Sequence, residues 1–189
     1  MAAICVFCGS SSGSGPAFVD TARRLGAAIA GGGHDLVYGG GHVGLMGVVA
    51  DAALAAGGPV TGVMTEQLVA AEVAHLGLTS LEITSTMHER KARMAELSDG
   101  VIVLPGGFGT LDEAFEMITW NQLGLVAVPV VFLDVAGYFE PLFAFVDSTV
   151  ARGFVSAANA ALLRRASSVE EALLAVTSPA DRFAPKWLG

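Results

Sequence analysis

Short apolar segments alternate along this chain with longer stretches in which apolar residues recur every three or four positions. The first kind predicts strands at residues 3–8, 35–38, 59–64, 78–83, 100–104 and 128–133. The second predicts helices at 17–30, 43–56, 87–97, 111–123, 138–152 and 169–176. The strand segments are continuously apolar, as in Val101-Ile102-Val103-Leu104, instead of alternating with polar residues. Such strands are covered on both faces. Strand–helix alternation then predicts an α/β fold: a Rossmann-like doubly wound parallel β-sheet with helices on both faces. No repeat or low-complexity linker interrupts the pattern. Residues 1–189 are therefore expected to form a single domain, with 178–189 an irregular, Pro-containing C-terminal tail.

Composition sharpens this picture. The 189 residues are 53% apolar and only 15% charged, against a usual charged share of about 25%. So little charge leaves apolar surface to cover, which predicts a homo-oligomer, most simply a homodimer. A net charge of -8 argues against a nucleic-acid partner, which needs a basic face to displace counterions. The N-terminus has no basic segment ahead of its first apolar run, and the longest apolar run, 123–133, is short and broken by Pro129. No signal peptide and no membrane span are expected, and the chain reads as cytoplasmic. Cys5 and Cys8 form a CxxC, but within a strand residues three apart face opposite sides, so a redox pair is not expected.

Candidate chemistry lies in three turns between strand and helix: 9–15, rich in Gly and Ser; Gly39-Gly40-Gly41-His42-Val43-Gly44; and Pro105-Gly106-Gly107-Phe108-Gly109-Thr110. In a parallel sheet all three lie at the carboxyl ends of strands, the edge where doubly wound folds bind ligands. Glycine turns that open a helix expose backbone N–H groups at its positive end, which suits a phosphate. Gly39, Gly41 and Gly44 fit GxGxxG, yet they follow the second strand and no acidic residue stands clearly at the end of the next. A whole NAD is therefore not expected; nucleotide contact and tight packing remain equal readings of that turn. No Walker A sequence occurs.

The third turn leads to Glu113, a carboxylate close to whatever a bound phosphate carries. Thr110 to Glu113 also fits the capping box T-x-x-E, a structural reading that Gly106, Gly107 and Gly109 weigh against. Glu116 lies a turn further on. Thr86 to Glu89 fits a second capping box, which makes Glu89 structural. Arg90 falls in the apolar stripe of Met87, Met94 and Leu97, and either snorkels outward or faces a buried anion. The four histidines lack ligand spacing, so no metal is expected; His42, on its glycine turn, is placed to touch a ligand.

Together these pieces resemble the LOG family of cytokinin-activating phosphoribohydrolases, once widely labelled lysine decarboxylases. The resemblance rests on Tyr38 to Gly47, on Met87-His88-Glu89-Arg90-Lys91, on Leu104 to Glu113, and on Thr119-Trp120-Asn121-Gln122-Leu123-Gly124. It spans about residues 4–154. An Arg-Lys pair followed by PGGxGTxxE is far more specific than GxGxxG.

The resemblance implies a dimer that cleaves a purine nucleoside 5′-monophosphate, AMP or N6-prenylated AMP, to free base and ribose 5-phosphate without a cofactor. It makes Arg90 and Glu113 catalytic, and Gly106, Gly107, Gly109 and Thr110 the phosphate turn. Gly39, Gly40, Gly41, Met87 and Lys91 would line the nucleotide site. Glu72 matches more loosely, near the base or prenyl end. Asp112 stands where many relatives have Glu.

The older label can be tested on residues. A PLP enzyme needs a Schiff-base lysine. Only Lys91, beside Arg90, and Lys186, in the tail, are present, so lysine decarboxylation is not expected. For the glycosidic bond, Glu113 is the expected stabiliser of an oxocarbenium-like sugar or activator of water. A place near a helix N-terminus is expected to favour its charged form. Two rival classes are a non-catalytic nucleotide sensor or carrier on the same fold and an NAD-type oxidoreductase, for whose second domain 189 residues leave little room.

Overall fold

The computed structural model describes residues 1–71 and 73–180. Its strands are β1 (Ala3–Phe7), β2 (Asp35–Tyr38), β3 (Val60–Thr65), β4 (Ser80–Thr84), β5 (Gly100–Val103), β6 (Val130–Leu133) and β7 (Leu163–Ala166). They form one seven-stranded sheet in the order β4-β3-β2-β1-β5-β6-β7, with every neighbouring pair parallel. The helices are α1 (Pro16–Gly31), α2 (Gly44–Ala55), α3 (Glu66–Ala70), α4 (Met87–Glu96), α5 (Phe108–Gln122), α6 (Glu140–Ala151), α7 (Ala157–Ala160) and α8 (Val169–Thr177). The chain begins mid-sheet, builds outward to β4, and crosses back through α4 to place β5 on the other side of β1. The strand order therefore reverses between β1 and β5, and the turns after those strands diverge there, the usual ligand crevice of such folds.

The period-two alternation of each strand divides the core in two. Ile4 and Val6 of β1 pack with Leu25 and Ile29 of α1, Val49 and Ala53 of α2, and Ala172 and Val176 of α8. Cys5 and Phe7 point the other way, with Met94 of α4, Ala114 and Met117 of α5, and Phe143 of α6. Each fully buried aliphatic or aromatic side chain contributes about 1.5–3 kcal/mol, so a one-residue slip of β1 would reverse both faces at once. Cys5 and Cys8 are free, buried and in opposite cores, so their spacing is strand spacing.

The doubly wound parallel sheet is as expected, apart from shifts of one to three residues at element ends and the differences that follow. β7, Leu163-Arg164-Arg165-Ala166, was not expected because two arginines break its apolar run. An edge strand tolerates them: Arg165 reaches Asp147 at 2.7 Å and lies over the Phe143 ring, and Arg164 donates to the Ala175 carbonyl. The short helices α3 and α7 are below the length at which helical periodicity shows. Helix α5 starts at Phe108, three residues before the expected Leu111. Strand β3 runs one residue further than expected, to Thr65, which puts an exposed acidic residue, Glu66, directly after it where none had been placed. No helix among the described residues is long and apolar enough to cross a membrane. Of the expected tail, residues 178–180 follow α8 outside any element; 181–189 lie outside the described residues.

Candidate active site

Because the strands are parallel, the turns after β1, β2 and β5 meet on one edge. Gly9 ties them together: its N–H donates to the Pro105 carbonyl (3.0 Å), and its carbonyl accepts the Leu45 N–H (3.0 Å). Gly44 has a left-handed φ of 60°, and a Cβ there would collide with the backbone of Ser10. The approach of the second turn to the first thus requires glycine. Packing also accounts for Gly39, Gly40 and Gly41, whose Cβ atoms would meet Arg90, Met64 and Met46. Between the first and third turns lies a cavity of about 300 Å³, lined by Gly9 to Gly13, Phe18, Leu45, Pro105 to Gly107 and Tyr138. It sits at the β1/β5 reversal and is at the lower end of small-molecule pocket sizes.

The floor of this cavity is the N-terminus of α5. Gly107 is the N-cap and supplies no side-chain cap. The capping-box reading of Thr110 to Glu113 is thereby corrected: Thr110 is the third residue of the helix, and Glu113 lies in its second turn. The early start follows from Gly106 and Gly107, which let the chain turn into the helix sooner. Thr110 is buried under Gly106, where a Cβ would strike its side chain. Gly107 and Gly109 are different: both are exposed, and a Cβ on either meets nothing within 4 Å. The protein's own packing does not explain them. Open space over first-turn N–H groups at the positive end of a helix is what an anion needs.

Beneath these turns lies a buried ion pair. Arg90 Nη1 donates to Glu113 Oε1 at 2.7 Å, with side-chain exposures of only 6% and 13%. The other two guanidinium nitrogens are also engaged: Nε donates to the Val63 carbonyl (2.8 Å) and Nη2 to the Gly39 carbonyl (3.3 Å). Arg90 thus reaches the ends of β2 and β3, while Glu113 comes from the helix after β5. Removing one partner of such a pair costs about 3–5 kcal/mol because the other charge stays buried.

Burial pushes the Glu113 carboxyl above its ordinary value, opposed by the Arg90 charge and hydrogen bond. This corrects the expectation that the helix N-terminus would favour the charged form: in the second turn the dipole is weak, and desolvation dominates. Burial raises the Cys5 and Cys8 thiols too, and the nearby Glu113 charge adds to it, as befits a carboxylate over the end of β1.

The remaining expected residues are distributed around this pair. Lys91 Nζ lies 3.0 Å from both Asp112 and Glu116 of α5. Its burial disfavours the charge, but the two carboxylates outweigh this and hold the ammonium above its ordinary value. Met87 is exposed at the start of α4, and Glu89 completes a capping box with Thr86, as read from the sequence. Glu72 lies outside the described residues. A second cavity, about 550 Å³, opens beside the exposed His42 and is lined by Val69 and by Ala74 to Gly77. Asn121 proves structural: its amide donates to the Met117 and Val128 carbonyls and accepts the Val128 N–H, fastening the loop that leads to β6. No cluster of three or more metal-ligating side chains occurs among the described residues. Tyr138, on the cavity wall, was not singled out from sequence, because an aromatic residue at the expected start of a helix reads as core.

Comparison with known proteins gives the family. The sequence model of the family described as "possible lysine decarboxylase" matches residues 46–176. The chain is 46% identical over 170 residues to a probable cytokinin riboside 5′-monophosphate phosphoribohydrolase of Oryza sativa subsp. japonica, covering 90% of this chain and 76% of that protein. It is 44% identical over 177 residues to a cytokinin riboside 5′-monophosphate phosphoribohydrolase of Rhodococcoides fascians, covering 93% and 89%. Among solved structures, the molybdenum cofactor binding protein from Rippkaea orientalis matches with a TM-score of 0.68 at 25% identity, over 91% of this chain and 93% of that one. The molybdenum cofactor carrier protein from Chlamydomonas reinhardtii matches with a TM-score of 0.67 at 22% identity, over 92% and 94%, a likeness of fold alone.

Proposed function

This chain belongs to the LOG family of cytokinin riboside 5′-monophosphate phosphoribohydrolases, and from that premise we propose that it hydrolyses the N-glycosidic bond of a purine nucleoside 5′-monophosphate. The substrate is AMP or an N6-prenylated AMP, and the products are free base and ribose 5-phosphate. The observation that carries this reading is the buried Arg90–Glu113 pair on the same sheet edge as the cavity of about 300 Å³ at the bare N-terminus of α5.

Cleavage of the C1′–N bond leaves positive charge on the ribose, and the electron pair departs with the base. The Glu113 carboxylate stabilises that charge or takes a proton from the water whose oxygen adds to C1′. The departing base gains a proton. With a raised pKa, Glu113 is a stronger base than an ordinary carboxylate. Each nitrogen of Arg90 already has a protein acceptor, which favours orientation of Glu113 over direct phosphate binding. Gly106, Gly107, Gly109 and Thr110 hold the phosphate through backbone N–H groups, supplying remote binding energy that positions the sugar. The Gly39 to Gly41 turn, Met87 and Lys91 form the adjoining wall. Lys91 does not suit Schiff-base chemistry, which needs a lysine free of partners and lowered in pKa; it is tied to two carboxylates and raised.

The test is release of free base from AMP and from isopentenyl-AMP by the purified protein and by Glu113→Gln. Release that the variant loses by at least about 100-fold supports the proposal. A second reading, a non-catalytic nucleotide sensor or carrier, draws on the fold shared with a molybdenum cofactor binding protein; nucleotide binding without base release would favour it. The proposal includes a homodimer, supported by exposed Phe115, Leu123, Leu125 and Phe145. Sedimentation at the mass of one chain would overturn that part.

A further inference from the structure

On the proposed reading, the phosphate is held by backbone N–H groups around Gly107, so the direction of those groups decides how well it is held. Glycine backbone is conformationally loose, and two consecutive carbonyls lead into this turn. The Pro105 carbonyl accepts the Gly9 N–H at 3.0 Å. The Gly106 carbonyl accepts the Tyr138 hydroxyl at 2.6 Å. In a trans peptide the carbonyl of Gly106 and the N–H of Gly107 point in opposite directions, so pinning the first sets the bearing of the second. It also keeps a carbonyl dipole from swinging toward an anion.

Tyr138 is itself firmly aimed. The turn between β6 and α6 is closed by Asp134, whose Oδ1 accepts the Phe139 N–H at 2.7 Å. Two consecutive residues in it, Ala136 and Gly137, have left-handed φ angles of 54° and 74°, a costly conformation for alanine. The Tyr138 ring meets Phe18 edge-on at 6.1 Å and the buried Phe139 at 5.0 Å. Yet Tyr138 is 45% exposed. Its hydroxyl has water available, so the bond to Gly106 adds little to stability. A strained turn that aims an exposed hydroxyl at a carbonyl of the cavity wall does more than packing requires.

We propose that Tyr138 is a positioning residue for the substrate phosphate, acting through the Gly106–Gly107 peptide and contributing to recognition of the 5′-phosphate instead of to bond cleavage. This rests on the function proposed above. The test is Tyr138→Phe, which keeps the ring contacts and removes the hydroxyl. The expected result is a KM for AMP raised by about three- to tenfold, the worth of one hydrogen bond. The kcat stays within about twofold, adenosine turnover is unchanged, and the unfolding midpoint is unchanged. Calorimetric affinity for ribose 5-phosphate falls by the same factor as KM rises. Unchanged KM together with unchanged ribose 5-phosphate affinity overturns the inference, as does a loss of kcat at constant KM. If the unmodified protein binds ribose 5-phosphate but cleaves no nucleotide, the hydrolase reading fails alone, and the binding comparison still decides the role of Tyr138. If it binds no ribose 5-phosphate, the positioning role fails.

Discussion

In α4 the Thr86 hydroxyl accepts the Glu89 N–H at 3.1 Å, and Glu89 Oε2 accepts the N–H groups of Ser85 and Thr86 at 2.9 and 3.1 Å. In α5 the same Thr-x-x-Glu pattern, Thr110 to Glu113, is displaced into the helix, and Glu113 turns to Arg90 instead. The tetrads share Thr and Glu at the same spacing; what precedes them differs. Ser85-Thr86 makes the threonine the N-cap, whereas Gly106-Gly107 lets the helix begin earlier and leaves its first turn without a side-chain acceptor. One terminus satisfies its own donors and is closed to ligands. The other is left without a side-chain cap, and its glutamate pairs with Arg90 instead of capping the helix. A capping motif is therefore read correctly only with the residues before it.

The largest effect expected of the place Glu113 occupies is its response to pH. Burial holds the Glu113 carboxyl above its ordinary value of 4.5, with Arg90 opposing, and the proposed mechanism needs it ionised. The acid limb of kcat should therefore lie above pH 4.5, with activity falling about tenfold per unit below it. The contribution to stability has the opposite sign. A raised folded-state pKa means that the native protein binds this proton more tightly than the unfolded chain. The stabilisation from Glu113 is then complete below pH 4.5 and is lost as pH rises through the raised value. A pH–kcat profile with urea unfolding across the same range checks both signs. An acid limb at or below 4.5 would return Glu113 to the ordinary behaviour of a surface carboxylate.

How far the sequence carries this comparison can be stated residue by residue. The two faces of β1 and the helices that cover them are written in side-chain hydrophobicity, so the fold is legible. Arg90 and Glu113 are both recognisable as candidates. Their contact, across 23 residues and two helices, depends on the strand order that returns β5 beside β1, which local pattern does not encode. Two arginines hide β7 because edge placement is a property of the assembled sheet. The hydroxyl of Tyr138 is invisible for a similar reason: its partner Gly106 is 32 residues away, and an aromatic residue looks alike whether it fills a core or holds a turn.

A smaller and more pointed test makes the open terminus resemble the closed one. Gly107 has an extended backbone, φ -91°, and room for a side chain, so Gly107→Asp introduces no clash. Its carboxylate would accept a first-turn N–H, as Thr86 does in α4, and complement the helix dipole. The gain over glycine at an N-cap is about 0.5 kcal/mol, or roughly 1–2 °C in a chain of this size. The same carboxylate occupies the donors proposed for the phosphate and repels its charge. The expected outcome is a protein slightly harder to unfold, with KM for AMP raised by at least about tenfold, or 1.4 kcal/mol, and little change in turnover of adenosine. Stability and phosphate affinity moving in opposite directions at one exposed residue would show that α5 is left uncapped for the sake of the ligand. A variant that gains stability with KM unmoved would place the phosphate elsewhere on the sheet edge and leave the bare terminus without a function.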